Sequence, residues 1–140
     1  MNVLILHGPN LNMLEKRDQK HYGGLSQTSI FNHLVQTYQD IDFTFYQTNH
    51  EGEMIDVIQQ TQDVDAIVVN LGAWTHYAYA IRDALELTNK IIVDVHLSDL
   101  TKREAFRQIN ILDGLTKKTF MGEKLLSYTK AIDYCQTLLD

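Results

Sequence analysis

Several residues and patterns are scarce in this chain, and each scarcity excludes a class of protein. The 140 residues include one cysteine, Cys135, so neither an internal disulfide nor a zinc site built on paired cysteines is possible. No apolar run approaches the roughly 20 residues that cross a bilayer. Lys and Arg (12) are outnumbered by Asp and Glu (18), which gives a formal net charge of −6. We therefore expect no nucleic-acid partner, no membrane association and a reducing, cytoplasmic location.

What is present suits a single domain over residues 1–140, because 44% of the residues are hydrophobic and no linker or repeat divides them. Short β-branched or aromatic runs predict five strands, at residues 3–6, 43–46, 66–69, 91–95 and 118–121. Because helical segments separate the strands, the strands should pair in parallel. The pattern predicts an α/β fold, a flavodoxin-like three-layer sandwich with a five-stranded parallel sheet in the order 2-1-3-4-5.

Four helices are predicted from apolar residues at helical spacing and from capping signals. The first opens at residues 25–28, the second begins near Glu51, the third is capped by Thr75 and runs to Leu87, and the fourth begins at residues 122–123. The apolar stripes assigned to the first, second and fourth are, in turn, Ile30, Leu34 and Tyr38; Ile55, Val57 and Ile58; and Leu125, Leu126, Ile132 and Leu138.

Three predicted strands end in unusually polar loops. The loops are His7-Gly8-Pro9-Asn10, Asn70-Leu71-Gly72 and His96-Leu97-Ser98, after strands one, three and four. In the predicted order these three strands are neighbours. Strand two is added on one side of strand one and strand three on the other, so the strand order reverses between strands one and three. Open α/β sheets bind ligands at such a point, so these loops predict a ligand crevice.

The loop after strand one contains Arg17 and Tyr22, five residues apart. A guanidinium beside a phenol favours the phenolate, which makes Tyr22 a candidate base. The alternative from spacing alone is that Tyr22 caps a loop and Arg17 is solvated. Asn10, whose amide both donates and accepts hydrogen bonds, lies on the same loop.

Asn70 and His76 flank the start of the third predicted helix, where free N–H groups attract an anion such as a carboxylate. Thr75 as a simple cap is the competing interpretation. Asp83 lies two turns further along and is expected to face solvent or a neighbouring subunit.

Asp94 and His96 alternate along strand four and therefore share one face of it. A carboxylate beside an imidazole selects its tautomer and favours its protonated form, which suits a general acid. A buried Asp–His hydrogen bond without chemistry remains the alternative. Arg103 and Arg107, four residues apart, form either a solvated stripe or an anion clamp.

No cofactor or metal is predicted. The six histidines contain no close ligand pair, and the loop after strand one has neither a dinucleotide fingerprint nor a phosphate loop. An acid–base enzyme is thus one hypothesis. A flavodoxin-like module that binds a ligand without converting it is a second, and a flavin-binding variant is a third.

Five separated motifs resemble those of type II 3-dehydroquinate dehydratase. They are His-Gly-Pro-Asn-Leu-Asn at 7–12, Arg17 with Tyr22-Gly23, residues 47–53, Thr75-His76 through Arg82-Asp83-Ala84, and Val95-His96-Leu97-Ser98. The resemblance implies a cofactor-independent hydro-lyase of the shikimate pathway of aromatic amino acid biosynthesis. Such an enzyme removes water from 3-dehydroquinate by anti elimination through an enolate and yields 3-dehydroshikimate.

The resemblance also implies roles for single residues. Tyr22 is the expected base, Arg17 its activator, His96 the acid, and Asn10 the holder of a water at the enolate oxygen. Asn70 with the backbone N–H groups of Leu97 and Ser98 would hold the substrate carboxylate, and His76 and Arg107 the ring hydroxyls. Asp83 would enter from an adjacent subunit of a homododecamer built from trimers, and the loop carrying Arg17 and Tyr22 would be a mobile lid.

Three departures from the family pattern accompany the resemblance. Asp94 stands where the family usually has Glu, so we expect His96 to be less firmly oriented. Asp18-Gln19 replaces Glu-Pro after Arg17, which should loosen the lid because the fixed φ of proline is lost. The segment after Arg107 reads Gln-Ile-Asn-Ile-Leu-Asp rather than a His-rich segment.

Overall fold

A computed structural model describes all of residues 1–140 and contains one five-stranded sheet. Every pairing is parallel, and the order is β2-β1-β3-β4-β5, as the sequence predicts. The strands are β1 Asn2–His7, β2 Asp42–Gln47, β3 Ala66–Asn70, β4 Ile91–His96 and β5 Lys118–Met121. Most extend one residue beyond the predicted bounds, because the polar residue after each apolar run still pairs with its neighbour.

Helices connect the strands and cover both faces of the sheet. They are α1 Gln19–Tyr22, α2 Gln27–Thr37, α3 Glu51–Gln59, α4 Tyr79–Leu87 and α5 Leu125–Leu139. Short 3-10 segments occupy Leu11–Lys16, Gly72–His76, Leu100–Lys102 and Ala105–Gln108. None of the helices is long and apolar enough to cross a lipid bilayer.

The alternation of side chains along the strands builds two cores, one on each side of the sheet. Ile5 and Val68 belong to the core under α2 and α5, whereas Leu6 and Val69 belong to the core under α3 and α4. Successive strand residues point to opposite faces. His7 and Asn70 therefore continue the α2/α5 side, and Asp94 and His96 continue the α3/α4 side.

The prediction that Thr75 caps the third helix is wrong. Gly72–His76 is a 3-10 segment, and α4 begins at Tyr79 after Ala78. The Thr75 hydroxyl is buried and has no hydrogen-bond partner in the protein. The tight turn buries the Trp74 side chain to 4% exposure, and this packing overrides the local capping preference.

The inward faces of two other helices also differ in part from the predicted stripes. Met54 and Ile58 are the buried residues of α3. In α5, Leu126 and Leu138 are 50% and 39% exposed, while Tyr128 is fully buried beside Ile132. Tertiary packing determines which face of each helix is buried. Tyr128 can occupy the buried face because its hydroxyl is hydrogen-bonded there.

Candidate active site

A crevice of about 310 Å³ opens at the carboxyl ends of β1, β3 and β4. It lies at the predicted place, and all but two of the predicted site residues line it: Asn10, Arg17, Tyr22, Asn70, His76, His96, Leu97, Ser98 and Arg107. Asp94 lies beneath it and Asp83 lies away from it. The strand order brings these residues together from segments far apart in the chain.

Two guanidinium groups converge on the hydroxyl oxygen of Tyr22. Arg17 Nη2 donates a hydrogen bond to it at 2.7 Å, and Arg103 Nη1 donates a second at 3.1 Å. The Arg17 guanidinium also lies 4.4 Å from the centre of the Tyr22 ring. Arginine only donates, so the oxygen accepts both bonds and negative charge on it is stabilised.

Arg103, which contacts the same Tyr22 oxygen, directly follows the 3-10 segment Leu100–Lys102. Its side chain is 9% exposed, and its Nη1 also donates to the Ser98 hydroxyl at 3.0 Å. The arginine is therefore held between Tyr22 and the loop after β4. From the sequence, Arg103 and Arg107 were expected to form either a solvated stripe or an anion clamp. Nothing in the sequence indicated that Arg103 contacts Tyr22.

His96 and Asp94 form a buried pair under the crevice. His96 Nε2 lies 3.0 Å from Asp94 Oδ2, and both side chains are almost inaccessible to solvent. The same carboxylate oxygen accepts from Asn110 Nδ2 at 2.7 Å and from Thr119 Oγ1 at 3.3 Å. Because Nε2 is engaged, Nδ1 is the ring nitrogen of His96 left for a ligand.

Although Asp94 is shorter than the Glu of the family pattern, it reaches His96 at ordinary hydrogen-bond length. Asn110 and Thr119 donate hydrogen bonds to the same carboxylate oxygen that His96 contacts. Thr119 pairs with Asp94 in the β4–β5 register. The sequence predicted that these two strands are neighbours, but it did not predict this register. Asn110 comes from the segment after Arg107 that departs from the family pattern, and only the folded chain reveals its role.

Backbone and amide donors gather where β3 and β4 end. The N–H groups of Leu97 and Ser98 have no acceptor within the chain. Asn70 Oδ1 accepts from the N–H of Gly72 at 3.3 Å, and Asn70 Nδ2 donates one of its two hydrogens to the Tyr128 hydroxyl at 2.9 Å. Free donors at the edge of a crevice suit an anionic oxygen ligand.

His76 and Arg107 also line the crevice. His76 Nδ1 donates to the carbonyl of Ile109 at 2.7 Å, which leaves Nε2 as an acceptor for a ligand hydroxyl. Partial burial lowers the pKa of His76 below its ordinary value, although the Ile109 carbonyl opposes this. Arg107 Nε donates to Glu104 at 3.0 Å and its guanidinium covers the Phe106 ring at 4.8 Å.

The first loop is held against β3 by a close backbone approach. Gly8 N–H donates to the carbonyl of Asn70 at 2.9 Å, and a Cβ on Gly8 would stand 2.1 Å from the carbonyl oxygen of Leu71. Asn10 adopts a left-handed conformation (φ 70°), with its N–H on Asn49 Oδ1 at 3.0 Å. This geometry places the Asn10 side chain at the mouth of the crevice.

Asp83 is the predicted site residue that the structure keeps away from the crevice of its own chain. It is exposed on α4. Five large apolar or aromatic side chains are exposed on or near α4 and the fourth 3-10 segment: Tyr77, Tyr79, Leu87, Phe106 and Ile109.

The chain was compared with known families, sequences and structures. The family model described as dehydroquinase class II matches residues 1–136. A 3-dehydroquinate dehydratase of Syntrophotalea carbinolica is 44% identical over 130 residues, which cover 90% of this chain and 88% of the relative. One from Thermotoga petrophila is 38% identical over 143 residues, covering 100% and 98%.

A solved structure agrees with the sequence relatives. The crystal structure of type II dehydroquinase from Butyrivibrio crossotus superposes with a TM-score of 0.92 at 38% identity, and the match covers 97% of each chain. The match extends over both sides of the sheet and the crevice-forming loops. This chain belongs to the class II dehydroquinase family.

Proposed function

We propose that the chain is a 3-dehydroquinate dehydratase, a hydro-lyase that converts 3-dehydroquinate to 3-dehydroshikimate in the shikimate pathway. The observation that carries the proposal is the pair of guanidinium groups on the Tyr22 oxygen, in the same crevice as the buried Asp94–His96 pair. An elimination of water needs a base, an acid and a stabiliser of negative charge on oxygen, and these residues provide them.

In the first step, the Tyr22 phenolate takes a proton from the carbon beside the ketone. The electrons of the broken C–H bond move onto the ketone oxygen and form an enolate, which a water held by Asn10 stabilises. Arg17 and Arg103 each donate a hydrogen bond to the oxygen that acts in this step. Closing the lid over the crevice removes water and strengthens these ionic hydrogen bonds.

In the second step, the enolate collapses and the bond from carbon to the departing hydroxyl breaks. His96 delivers a proton from Nδ1 to that hydroxyl, which leaves as water. Asp94 stabilises the imidazolium before the transfer through the contact to Nε2. After one turnover Tyr22 carries the proton taken from carbon and His96 lacks one, so solvent takes a proton from Tyr22 and returns one to His96 before the next cycle. Neither proposed step calls on a metal or cofactor.

The substrate is oriented by its carboxylate and its ring hydroxyls. Asn70 with the free N–H groups of Leu97 and Ser98 binds the carboxylate. His76 Nε2 and the Arg107 guanidinium bind the ring hydroxyls. Fixing both ends of the ring aligns the proton with Tyr22 and the leaving hydroxyl with His96.

We further propose that the chain works in the cytoplasm as a homo-oligomer, with trimers assembled into a dodecamer. The exposed apolar residues around α4 support this, and Asp83 on the same helix would enter the crevice of a neighbouring subunit. Sedimentation of the purified chain measures the state directly. A monomer that turns over substrate would contradict both the assembly and the role of Asp83.

The experiment that tests the function is a continuous assay of the conjugated enone product. Purified protein with 3-dehydroquinate, in the presence of a chelator, should show rising ultraviolet absorbance, and NMR should identify 3-dehydroshikimate. Heat of binding by calorimetry without any absorbance change between about pH 6 and 9 would instead identify a non-converting binding module.

A matched pair of variants tests the base and its activator. Arg17→Met removes one donor from the Tyr22 oxygen and should lower kcat by about 100-fold. Lys20→Met removes a cation from the same lid, where Lys20 makes no contact with Tyr22, and should leave kcat within about twofold. Equal effects of the two substitutions would show that only the general charge of the lid matters.

A further inference from the structure

A buried chain of hydrogen bonds runs behind the carboxylate end of the crevice. Gln27 Oε1 lies 2.8 Å from His7 Nδ1, His7 Nε2 lies 2.8 Å from the Tyr128 hydroxyl, and that hydroxyl lies 2.9 Å from Asn70 Nδ2. The four residues come from α2, β1, α5 and β3. His7 and Asn70 are register partners on neighbouring strands and point to the α2/α5 side, where Tyr128 lies.

The chemistry of the four groups permits one direction for the hydrogens. Gln27 Oε1 only accepts, so His7 Nδ1 carries the proton. In a neutral imidazole Nε2 then accepts, so the Tyr128 hydroxyl donates to it. The Tyr128 oxygen is left to accept from Asn70 Nδ2, as the distance of 2.9 Å indicates.

The direction is locked by burial. His7 and Tyr128 are both 0% exposed, and Asn70 is 5% exposed. Burial lowers the pKa of His7 to about 4, and it raises the pKa of the Tyr128 hydroxyl, so both side chains stay neutral at ordinary pH. If His7 were charged, Nε2 would carry a hydrogen and could no longer accept the hydrogen bond from the Tyr128 hydroxyl.

The orientation of the Asn70 amide follows from this chain. One Nδ2 hydrogen is held by Tyr128, and Oδ1 is held by the N–H of Gly72 at 3.3 Å. The amide therefore cannot rotate by half a turn without losing both contacts. Its second Nδ2 hydrogen has no acceptor within the chain, and Asn70 lines the crevice.

We propose that Tyr128 and His7 are positioning residues that fix Asn70 as a hydrogen-bond donor toward the crevice, and so determine that this end of the site takes a carboxylate. The inference rests on the proposed function, in which Asn70 binds the substrate carboxylate. It assigns a task to the two buried titratable groups that the proposed reaction does not use. Neither residue touches the substrate.

The proposal predicts a separation between KM and kcat. Tyr128→Phe keeps the ring in the core but removes the hydroxyl, so the Asn70 amide keeps only its contact with the Gly72 N–H and is held less firmly. KM for 3-dehydroquinate should rise about tenfold while kcat stays within about twofold, because binding of the non-reacting carboxylate is weakened. Tyr38→Phe is the matched control, since its hydroxyl also binds α5, at Thr129 and Asp133, away from the crevice.

A double-mutant cycle separates positioning from general packing. Asn70→Ala should raise KM at least as much as Tyr128→Phe, and adding Tyr128→Phe to Asn70→Ala should change KM by less than twofold. Additive effects, or an equal rise of KM in Tyr38→Phe, would overturn the proposal. Absence of turnover by the unmodified chain would instead refute the proposed function, so the two failures are distinguishable.

A pair of His7 variants gives an independent measurement should Tyr128→Phe not fold. In His7→Gln, the amide oxygen accepts from Tyr128 and the amide nitrogen donates to Gln27, so KM should stay within about twofold of its original value. His7→Leu removes both functions and should raise KM about tenfold. If both variants fold and share one KM, His7 has no positioning role.

Discussion

His7 makes the stability of the protein sensitive to mild acid, and the size of the effect follows from its burial. The side chain is fully buried, and desolvation lowers its pKa from 6.5 to about 4 in the folded state. Between pH 6.5 and about 4, His7 is therefore protonated in the unfolded chain but mostly neutral in the folded chain. Stability falls as pH drops through this window and rises again as pH increases.

The magnitude comes from the shift itself, at 1.36 kcal/mol for each pKa unit. Relative to neutral pH, the His7 contribution lowers the free energy of unfolding by about 2 kcal/mol at pH 5 and about 3 kcal/mol at pH 4. His7→Gln keeps the hydrogen bonds and removes the titration. The difference in unfolding free energy between the original chain and this variant should shrink or reverse by these amounts on acidification.

Urea unfolding followed by circular dichroism at several pH values between 7.5 and 4.5 measures that difference. All other titrating groups are common to both proteins and cancel in it. His33→Gln, which replaces a partly exposed histidine on α2, serves as the control for loss of a histidine elsewhere in the chain. Parallel curves for His7→Gln would refute the reasoning, because they would show that His7 titrates alike in both states.

Two further substitutions test the acid and the backbone of the site. Asp94→Asn removes the charge that stabilises the His96 imidazolium and should lower kcat by about 100-fold in the enone assay, with KM little changed; an unchanged kcat would contradict the pair's role. Gly8→Ala places a Cβ 2.1 Å from the Leu71 carbonyl oxygen and should lower the free energy of unfolding by about 3 kcal/mol. Gly52→Ala, which meets nothing within 4 Å in α3, is the control and should raise it by about 0.5–1 kcal/mol in the same thermal or urea unfolding. A Gly8→Ala variant as stable as the original chain would contradict the close approach.

The fold and the meeting of strand ends were predictable because both depend on short-range patterns. Alternating apolar residues define the strands, and parallel strands separated by helices force their carboxyl ends to one edge. His7, Asn70 and His96 each follow directly after such a run. Their proximity is a consequence of strand order, which the number of strands and the connecting helices already favour.

The remaining parts of the site depend on side chains that cross between elements. Tyr128 lies on a helix whose leucine spacing gave no sign that a tyrosine hydroxyl would reach β1 and β3. Arg103 reaches Tyr22 across 81 positions of the chain, and Asn110 reaches Asp94 from an irregular segment. Contacts of this kind follow from where whole elements pack, and no local period in the sequence encodes them.

The start of the helix after β3 is a backbone feature that local sequence signals also failed to predict. Thr75 has the residue type and the position of a cap, yet its hydroxyl is buried without a partner and the helix begins four residues later. Burial of Trp74 in the turn decides the local conformation. A capping preference of about 1 kcal/mol is readily outweighed by burying a tryptophan side chain.

The most direct test of the central claim is the kcat of Tyr22→Phe in the enone assay, measured beside its binding of 3-dehydroquinate by calorimetry. The account predicts a loss of turnover of at least about 1,000-fold, since the base is removed, with the dissociation constant within about threefold. Circular dichroism should show an unchanged fold. Turnover within about tenfold of the original chain would contradict the claim that the phenolate held by Arg17 and Arg103 takes the proton.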